Sequence, residues 1–181
     1  MIVWINRPFG GGKTTLTATL LEALPGAVAF DPEKVGYTLR ETFPGKRRDF
    51  QDFPAWRPLV AQFAIHGHVE NDGLPLLVPM SVLSQDYATE IHTAIRDTGV
   101  TLHHLLLHAD PATIAERIEA CVEYPGEAER SEKVRAFRRQ KLDSYVEAHR
   151  LWLADDAEVI DTTHLTPAGV AEQALKVIDR P

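Results

Sequence analysis

Three consecutive glycines, a lysine and two threonines lie near the start of the chain, in the segment RPFGGGKTT that ends at Thr15. Backbone N–H groups can approach phosphate oxygens closely where glycine leaves no Cβ in the way. A lysine after such glycines reaches the phosphates, and the hydroxyl that follows it can bind Mg²⁺. The segment therefore predicts a phosphate-binding loop formed by Phe9, Gly10, Gly11, Gly12, Lys13, Thr14 and Thr15, with Thr14 as the metal ligand.

The loop departs from the usual pattern, G-x-x-x-x-G-K-[ST], at its first position, where Arg7 replaces glycine. A short apolar run precedes the loop and a leucine-striped helix follows it, which is the context that such a loop requires. We expect the loop to form, because the three later glycines line the phosphate cradle. Arg7→Gly should then leave nucleotide affinity equal or better, whereas a large loss would make Arg7 a phosphate ligand.

The elements that position this loop alternate along the chain. Apolar runs predict strands, and segments with helical spacing separate them, which favours an α/β fold with a five-stranded parallel sheet and helices on both faces. The predicted strands are 2–6, 27–30, 74–83, 101–108 and 157–160, and the predicted helices include 13–24, 33–42, 54–68, 85–98, 131–152 and 167–179. Because ligands of such sheets bind outside the carboxyl ends of the strands, those ends are where we expect the site.

Four segments carry a family resemblance: IVWINRPFGGGKT, AFDPEKVGYTLR, DFQDFPAWRP and LLVPMSV. They resemble the bacterial tunicamycin-resistance proteins, which are P-loop proteins related to nucleoside monophosphate kinases, shikimate and gluconate kinases and chloramphenicol phosphotransferase. The resemblance implies a three-layer P-loop NTPase fold with a short lid. It also implies Mg²⁺- and ATP-dependent phosphoryl transfer to a small molecule, with tunicamycin resistance as the effect. Residues 1–181 would form one kinase-like domain, with an acceptor-binding segment at about 32–70 and a lid at about 122–135.

Besides Lys13, the candidates for catalysis are Asp31 and the basic side chains of residues 130–141. Asp31 ends the second predicted strand, where related kinases place an aspartate that orients or deprotonates the acceptor hydroxyl; the alternative is a turn or helix cap. Residues 130–141 contain six basic side chains against Glu132, in a segment, RRQKLDSY, that resembles the arginine-bearing helix after the kinase lid. We expect at least two of them, with Arg138 and Arg139 as the catalytic candidates, to contact phosphate; the alternative is a solvated helix face.

Other candidates would bind the two substrates. Arg117 corresponds to an arginine that stacks on adenine in related kinases, and Thr162 lies in the loop that contacts adenine; a surface helix and a plain turn are the alternatives. The substrate-binding candidates are Asp31, Arg40, Trp56, Arg57, Ser81 and Arg130. For Arg40 and Arg57 the alternative is a surface arginine whose stem covers apolar neighbours.

Composition limits the function further. The net charge of −7 argues against nucleic-acid binding, and the absence of a long apolar run argues against an integral membrane segment. A single cysteine and no evident signal peptide favour the cytoplasm. The expected oligomeric state is a monomer or a homodimer. The histidine pairs at 66/68 and 103/104 have no metal-site spacing by themselves.

The predicted partner is a small-molecule acceptor, such as tunicamycin or another nucleoside-like compound. Two alternatives to an antibiotic phosphotransferase stay open. One is a nucleotide-gated protein that sequesters an antibiotic without modifying it, since the third strand ends in Pro79, Met80 and Ser81 without the Asp that holds Mg²⁺ in many P-loop ATPases. The other is a nucleotide or sugar kinase of the same fold.

Overall fold

The five strands form one parallel sheet in the order β2-β3-β1-β4-β5, which confirms the predicted sheet. The computed structural model describes residues 1–8, 13–44 and 49–179, without the side chains of residues 13 and 14. The strands are β1 (Ile2–Asn6), β2 (Val28–Ala29), β3 (Leu76–Pro79), β4 (Leu102–His108) and β5 (Glu158–Asp161). β1 is central and pairs with both β3 and β4, so the residue after its carboxyl end lies in the middle of the sheet edge.

Helices connect the strands and cover both faces of the sheet, as the resemblance implies. They are α1 (Lys13–Ala23), α2 (Glu33–Thr42), α3 (Trp56–Glu70), α4 (Gln85–Arg96), α5 (Pro111–Glu119), α6 (Ala128–Ala148), α7 (Ala154–Asp156) and α8 (Pro167–Ile178). A 3₁₀ turn (Phe50–Asp52) precedes α3, which begins two residues later than predicted, and a π-helical turn (His149–Leu153) follows α6. The predicted helix 131–152 therefore corresponds to α6 and the π-helical turn, and it starts earlier than expected.

The core lies on the two faces of the sheet, because successive side chains of β1 point in opposite directions. Ile2 and Trp4 join one apolar cluster with α3, α4 and the end of α6. Val3 and Ile5 join the other with α1 and α8. All four side chains are fully buried, as expected for the central strand of a sheet covered on both sides.

The segment between β2 and α3 is held by close aromatic packing. The α2 backbone at Gly36 lies against the Phe50 ring so closely that a Cβ at position 36 would overlap the ring. The Trp56 indole N–H donates to the carbonyl of Pro32 at 3.1 Å, which joins the start of α3 to the start of α2. These contacts fix the exit from β2, where Asp31 lies.

Of the helices that the structure describes, none has the length and apolar character that crossing a membrane requires.

Candidate active site

Part of the predicted site lies at the carboxyl edge of the parallel sheet. Arg7 and Thr162 each follow directly after a strand, and Asp31 and Ser81 each lie two residues after one. Phe9, Gly10, Gly11 and Gly12 lie outside the described residues, as do the side chains of Lys13 and Thr14. The backbone of α1 nevertheless begins at Lys13, so a helix N-terminus faces this edge, which is a favourable place for an anion.

Three successive residues after β3 are bonded to β1. Trp4 Nε1 donates to the carbonyl of Met80 at 3.0 Å, and Asn6 Nδ2 donates to that of Val82 at 2.8 Å. Between them, Ser81 Oγ donates to the carbonyl of Arg7 at 2.6 Å. The end of β3 is therefore fixed against the first residue of the predicted phosphate loop.

The Arg7 side chain is buried, although it carries a charge. Only 9% of the residue is exposed, and neither Nε nor Nη1 has a hydrogen-bond partner among the described residues. Burial, together with the positive charge of Arg138, lowers the pKa of Arg7 to about 9. The edge of the sheet thus presents cationic donors that no residue in the described part of the chain pairs with.

Asp31 has a structural contact and a position suited to chemistry. One carboxylate oxygen accepts from the backbone N–H of Glu33 at 3.0 Å, so the turn-forming alternative describes part of its role. The carboxylate is half-buried at the end of β2 and carries a second oxygen. Its role toward an acceptor remains a prediction.

A cavity of about 460 Å³ opens beside Ser81, between the 3₁₀ turn, the start of α4 and the end of α6. Lys141 Nζ contacts Asp49 Oδ2 at 3.1 Å across its rim, and Gln51 Nε2 donates to the Ser81 carbonyl at 3.0 Å. Polar and apolar side chains both line it: Asp49, Gln51, Asp52, Ser81, Leu83, Ser84, Gln85, Tyr87, Lys141, Ser144, Glu147, Ala148, Leu151 and Trp152. Its size is within the range of pockets that bind small molecules.

Several predicted acceptor ligands have partners within the protein. Trp56 is fully buried and packs in the core, an arrangement that does not support a ring stacked on a substrate. Arg57 pairs with Glu90 and lies over the Tyr87 ring, and Arg40 lies 3.8 Å from the centre of the Phe50 ring. Of the six candidates, Ser81 is the one that lines the cavity.

The arginines of α6 fall into two environments. Arg138 is mostly buried, with Nη1 at 2.8 Å from Cys121 Sγ and Nη2 at 2.7 Å from Glu123, and its charge is near enough to lower the pKa of Arg7. Arg139 is exposed and pairs with Glu119 and Glu132 on the outer side of the helix. The structure therefore brings Arg138, but not Arg139, towards the sheet edge.

At the lid, Arg130 lies over the Tyr124 ring at 3.7 Å and pairs weakly with Glu127. Both partners of that ion pair are largely exposed, so the pair contributes little to stability.

Two residues that are predicted to bind the nucleotide contact each other at the β4–β5 end of the sheet edge. Arg117 Nη2 donates to the Thr162 carbonyl at 3.0 Å, and Nη1 donates to Thr162 Oγ1 at 3.3 Å. Thr162 is in turn bonded to the carbonyl at the end of β4, His108, through both its N–H and its hydroxyl. This arrangement holds the guanidinium plane of Arg117 at the carboxyl ends of β4 and β5, which is compatible with a base-stacking role.

Away from this edge, the structure groups His104 with His92 and Asp156, three potential metal ligands within 4.8 Å of one another. His104 Nδ1 is bonded to Asp156 Oδ2 at 2.9 Å. The Nε2 atoms of both rings are buried and have no partner among the described residues. Because a metal-bound histidine normally donates its other ring N–H to an acceptor, these rings lack the surroundings of a built metal site.

Known structures share this architecture. The tunicamycin resistance protein of Deinococcus radiodurans superposes with a TM-score of 0.72 over 99% of this chain and 96% of that chain, at 29% sequence identity. The resemblance to the tunicamycin-resistance proteins is therefore confirmed. A gluconokinase from Sinorhizobium meliloti 1021 matches with a TM-score of 0.65, at 16% identity over 97% of this chain and 90% of its own.

Shikimate kinase from Bacteroides thetaiotaomicron matches with a TM-score of 0.57, at 14% identity over 99% of both chains. At such low identities these two kinases show the fold alone: the chain has the fold of the P-loop kinases. No protein-family model matches the chain, and no curated protein sequence does.

Two features of the site are not predictable from the sequence. The cavity depends on Asp49, Gln51 and Lys141, which come from distant parts of the chain and share no motif. Arg7 replaces the glycine of the loop pattern, which marks it as irregular but does not predict that its side chain is buried.

Proposed function

We propose that the protein is an ATP-dependent phosphotransferase that transfers the γ-phosphoryl group to a hydroxyl of a small molecule, and that tunicamycin resistance is its effect. The kinase fold and the 29% identity to the tunicamycin resistance protein of Deinococcus radiodurans support this proposal. A cytoplasmic site of action belongs to it, since ATP is supplied there.

The observation that carries the proposal is the contact between the cavity and the predicted phosphate loop. Ser81 lines the cavity with its own atoms and bonds the carbonyl of Arg7, the residue that begins the loop pattern. An acceptor in the cavity would therefore lie next to a nucleotide held by the loop. Phosphoryl transfer depends mainly on such positioning and on stabilisation of charge, so this juxtaposition is the main requirement.

The chain has residues suited to each part of the reaction. Lys13 and the backbone amides of residues 10–14 would bind the phosphates, and Arg117 and Thr162 would contact the base. Mg²⁺ held by the Thr14 hydroxyl would neutralise charge on the β- and γ-phosphate oxygens. The unpaired N–H groups of Arg7 fit an anionic ligand at this edge. Asp31 would orient the acceptor hydroxyl, and Arg138 would stabilise charge on the transferred group.

The lining of the cavity favours a particular class of acceptor. It has three carboxylates, Asp49, Asp52 and Glu147, against one cation, Lys141, which Asp49 already neutralises. This balance disfavours an anionic acceptor, whereas carboxylates and hydroxyls bind sugar hydroxyls well. Leu83, Leu151 and Trp152 add an apolar wall. A neutral, hydroxyl-rich compound with one flat or apolar face, such as a nucleoside, fits these features.

The experiment incubates the protein with Mg-ATP and candidate acceptors, with tunicamycin first and then a panel of nucleosides, sugars and nucleotides. Mass spectrometry of the acceptor should detect the added phosphate, and Asp31→Asn should abolish that product. Asp97→Asn is the matched control. It lies at the exposed end of α4, away from the carboxyl edge of the sheet, and should leave the product unchanged. Product formation that survives Asp31→Asn would remove the assigned role of Asp31.

The end of β3 favours a second candidate function. Its last residues, Pro79 to Ser81, bring no carboxylate to the metal site, which suits a protein that binds nucleotide and sequesters an antibiotic without modifying it. In the same assay, nucleotide-dependent binding of tunicamycin with no product from any acceptor would support sequestration.

A further inference from the structure

The buried guanidinium of Arg7, with two donors that lack an acceptor among the described residues, is the least expected feature of the described structure. Burying a guanidinium is costly unless anions or hydrogen-bond acceptors compensate the loss of water. Arg7 is 9% exposed, and its Nε and Nη1 have no acceptor among the described residues. No carboxylate forms an ion pair with it in the described part of the chain. The described residues therefore leave Arg7 with donors that an anionic ligand could occupy.

The surroundings of Arg7 indicate where that ligand lies. Its carbonyl accepts from Ser81 Oγ, at the edge of the cavity, and the positive charge of Arg138 in α6 is near enough to lower the pKa of Arg7. Arg138 pairs with Glu123, whereas no described carboxylate pairs with Arg7. Like charges repel, and an anion bound at Arg7 would offset this repulsion.

We propose that Arg7 binds the terminal phosphate of the nucleoside triphosphate, beside the acceptor cavity that Ser81 lines. The proposal rests on the proposed function, since it requires that the loop binds a nucleotide. A guanidinium offers N–H donors in a planar fork that matches phosphate oxygens, which the glycine usual at this position cannot provide. The substitution of glycine by arginine thus adds a charge-stabilising group within the chain itself, at the point of phosphoryl transfer.

Replacing Arg7 should have one effect on the free protein and another on nucleotide binding. Without ligand, Arg7→Met should raise the melting temperature, because it removes an uncompensated buried charge while keeping a side chain of similar length. With ligand, the same variant should bind Mg-ATP at least tenfold more weakly and Mg-ADP less than threefold more weakly, because ADP lacks the terminal phosphate. Arg7→Gly, which the loop pattern alone predicts to be neutral or beneficial, should show the same selective loss.

The test is calorimetric titration of Mg-ATP and Mg-ADP into the wild type and the variants, with thermal unfolding of each protein measured in parallel. Arg7→Lys keeps the charge without the fork and should lose less ATP affinity than Arg7→Met. Arg96→Met, at the exposed end of α4, is the matched control and should match the wild type in both titrations.

The outcomes separate this inference from the function on which it rests. A selective loss of ATP affinity in Arg7→Met supports it. Unchanged affinities overturn it and leave the proposed function standing, and an equal loss for ATP and ADP overturns the assignment to the terminal phosphate. If the wild type binds neither nucleotide, the proposed function itself fails.

Discussion

Ser81 Oγ lies 2.6 Å from the carbonyl oxygen of Arg7, across 74 positions of the sequence, and donates a hydrogen bond to it. The contact is buried, and it joins the exit of β3 to the exit of β1. Because the same serine lines the cavity, one side chain couples the predicted loop to the predicted acceptor site. Its removal should therefore affect both stability and nucleotide binding.

We predict that Ser81→Ala lowers the free energy of unfolding by about 1–3 kcal/mol, since it leaves a buried carbonyl without its donor. Nucleotide affinity should fall as well, because the first residue of the loop loses an anchor. Urea denaturation and calorimetry measure the two effects. Ser144→Ala, an exposed serine of the same cavity, is the control and should change neither quantity by more than about 0.5 kcal/mol. Wild-type stability in Ser81→Ala would show that the bond is dispensable.

The two catalytic candidates on α6 should behave differently when the same change is made in each. Arg138→Gln should lower the rate of phosphoryl transfer by about 100-fold or more, since the group lies near Arg7 and would stabilise transferred charge. Arg139→Gln should lower the rate by less than about threefold, since Arg139 is exposed and forms ion pairs with exposed glutamates. Steady-state kinetics on the acceptor found by mass spectrometry provides the comparison, and equal losses would contradict this assignment.

Gly36 and Gly67 form a matched pair for the packing of the acceptor-binding segment. Gly36→Ala should destabilise the protein by about 1–3 kcal/mol, because the new methyl group would overlap the Phe50 ring. Gly67→Ala, in the middle of α3, has ordinary contacts with Leu76 and Phe63 and should stabilise by up to about 1 kcal/mol. Thermal and urea unfolding of the two variants distinguishes local overpacking from a general effect of alanine.

His92 should make the protein sensitive to acid. Burial, and then the positive charges of His104 and Arg96, lower its pKa from 6.5 to about 3, although Asp156 opposes the shift. Between pH 6.5 and 3 the unfolded chain therefore binds more protons at this residue, and the free energy of unfolding falls as the pH falls. The decline should approach about 1.4 kcal/mol per pH unit well below pH 6.5.

His92→Leu should flatten this dependence of the urea midpoint on pH. His66→Leu, at an exposed position of α3, should retain the wild-type slope. A His92→Leu protein with an unchanged slope would assign the acid sensitivity to other groups. The pKa of Asp156 is lowered from 3.8, mainly by its hydrogen bond to His104, so its stabilising contribution is lost as the pH falls below about 4, at the acid end of this window.

The sequence alone predicted the sheet, because strand periodicity and the alternation of elements are local properties that the fold preserves. The order of the strands was not predictable in this way, since it depends on pairing between distant segments such as β1 with β3 and β4. The helix after the lid shows the same limit. Its sequence predicted a helix rich in arginine, but the pairing of Arg139 with Glu119 arises from the packing of α6 on α5.

Trp56 and Arg7 show why side-chain roles were harder to predict than elements. A tryptophan before an arginine in an acceptor segment has the same sequence pattern whether the ring faces a ligand or the core, and here it is fully buried. For Arg7, the pattern marked an irregular residue but could not show its burial, which depends on the contact of β1 with the exit of β3 and with α6.

The ion pair between Arg138 and Glu123 has a consequence for nucleotide binding. A triphosphate that contacts Arg138 must compete with this carboxylate for the guanidinium, so the pair opposes binding in the free protein. Raised ionic strength should weaken the pair and the nucleotide contacts together.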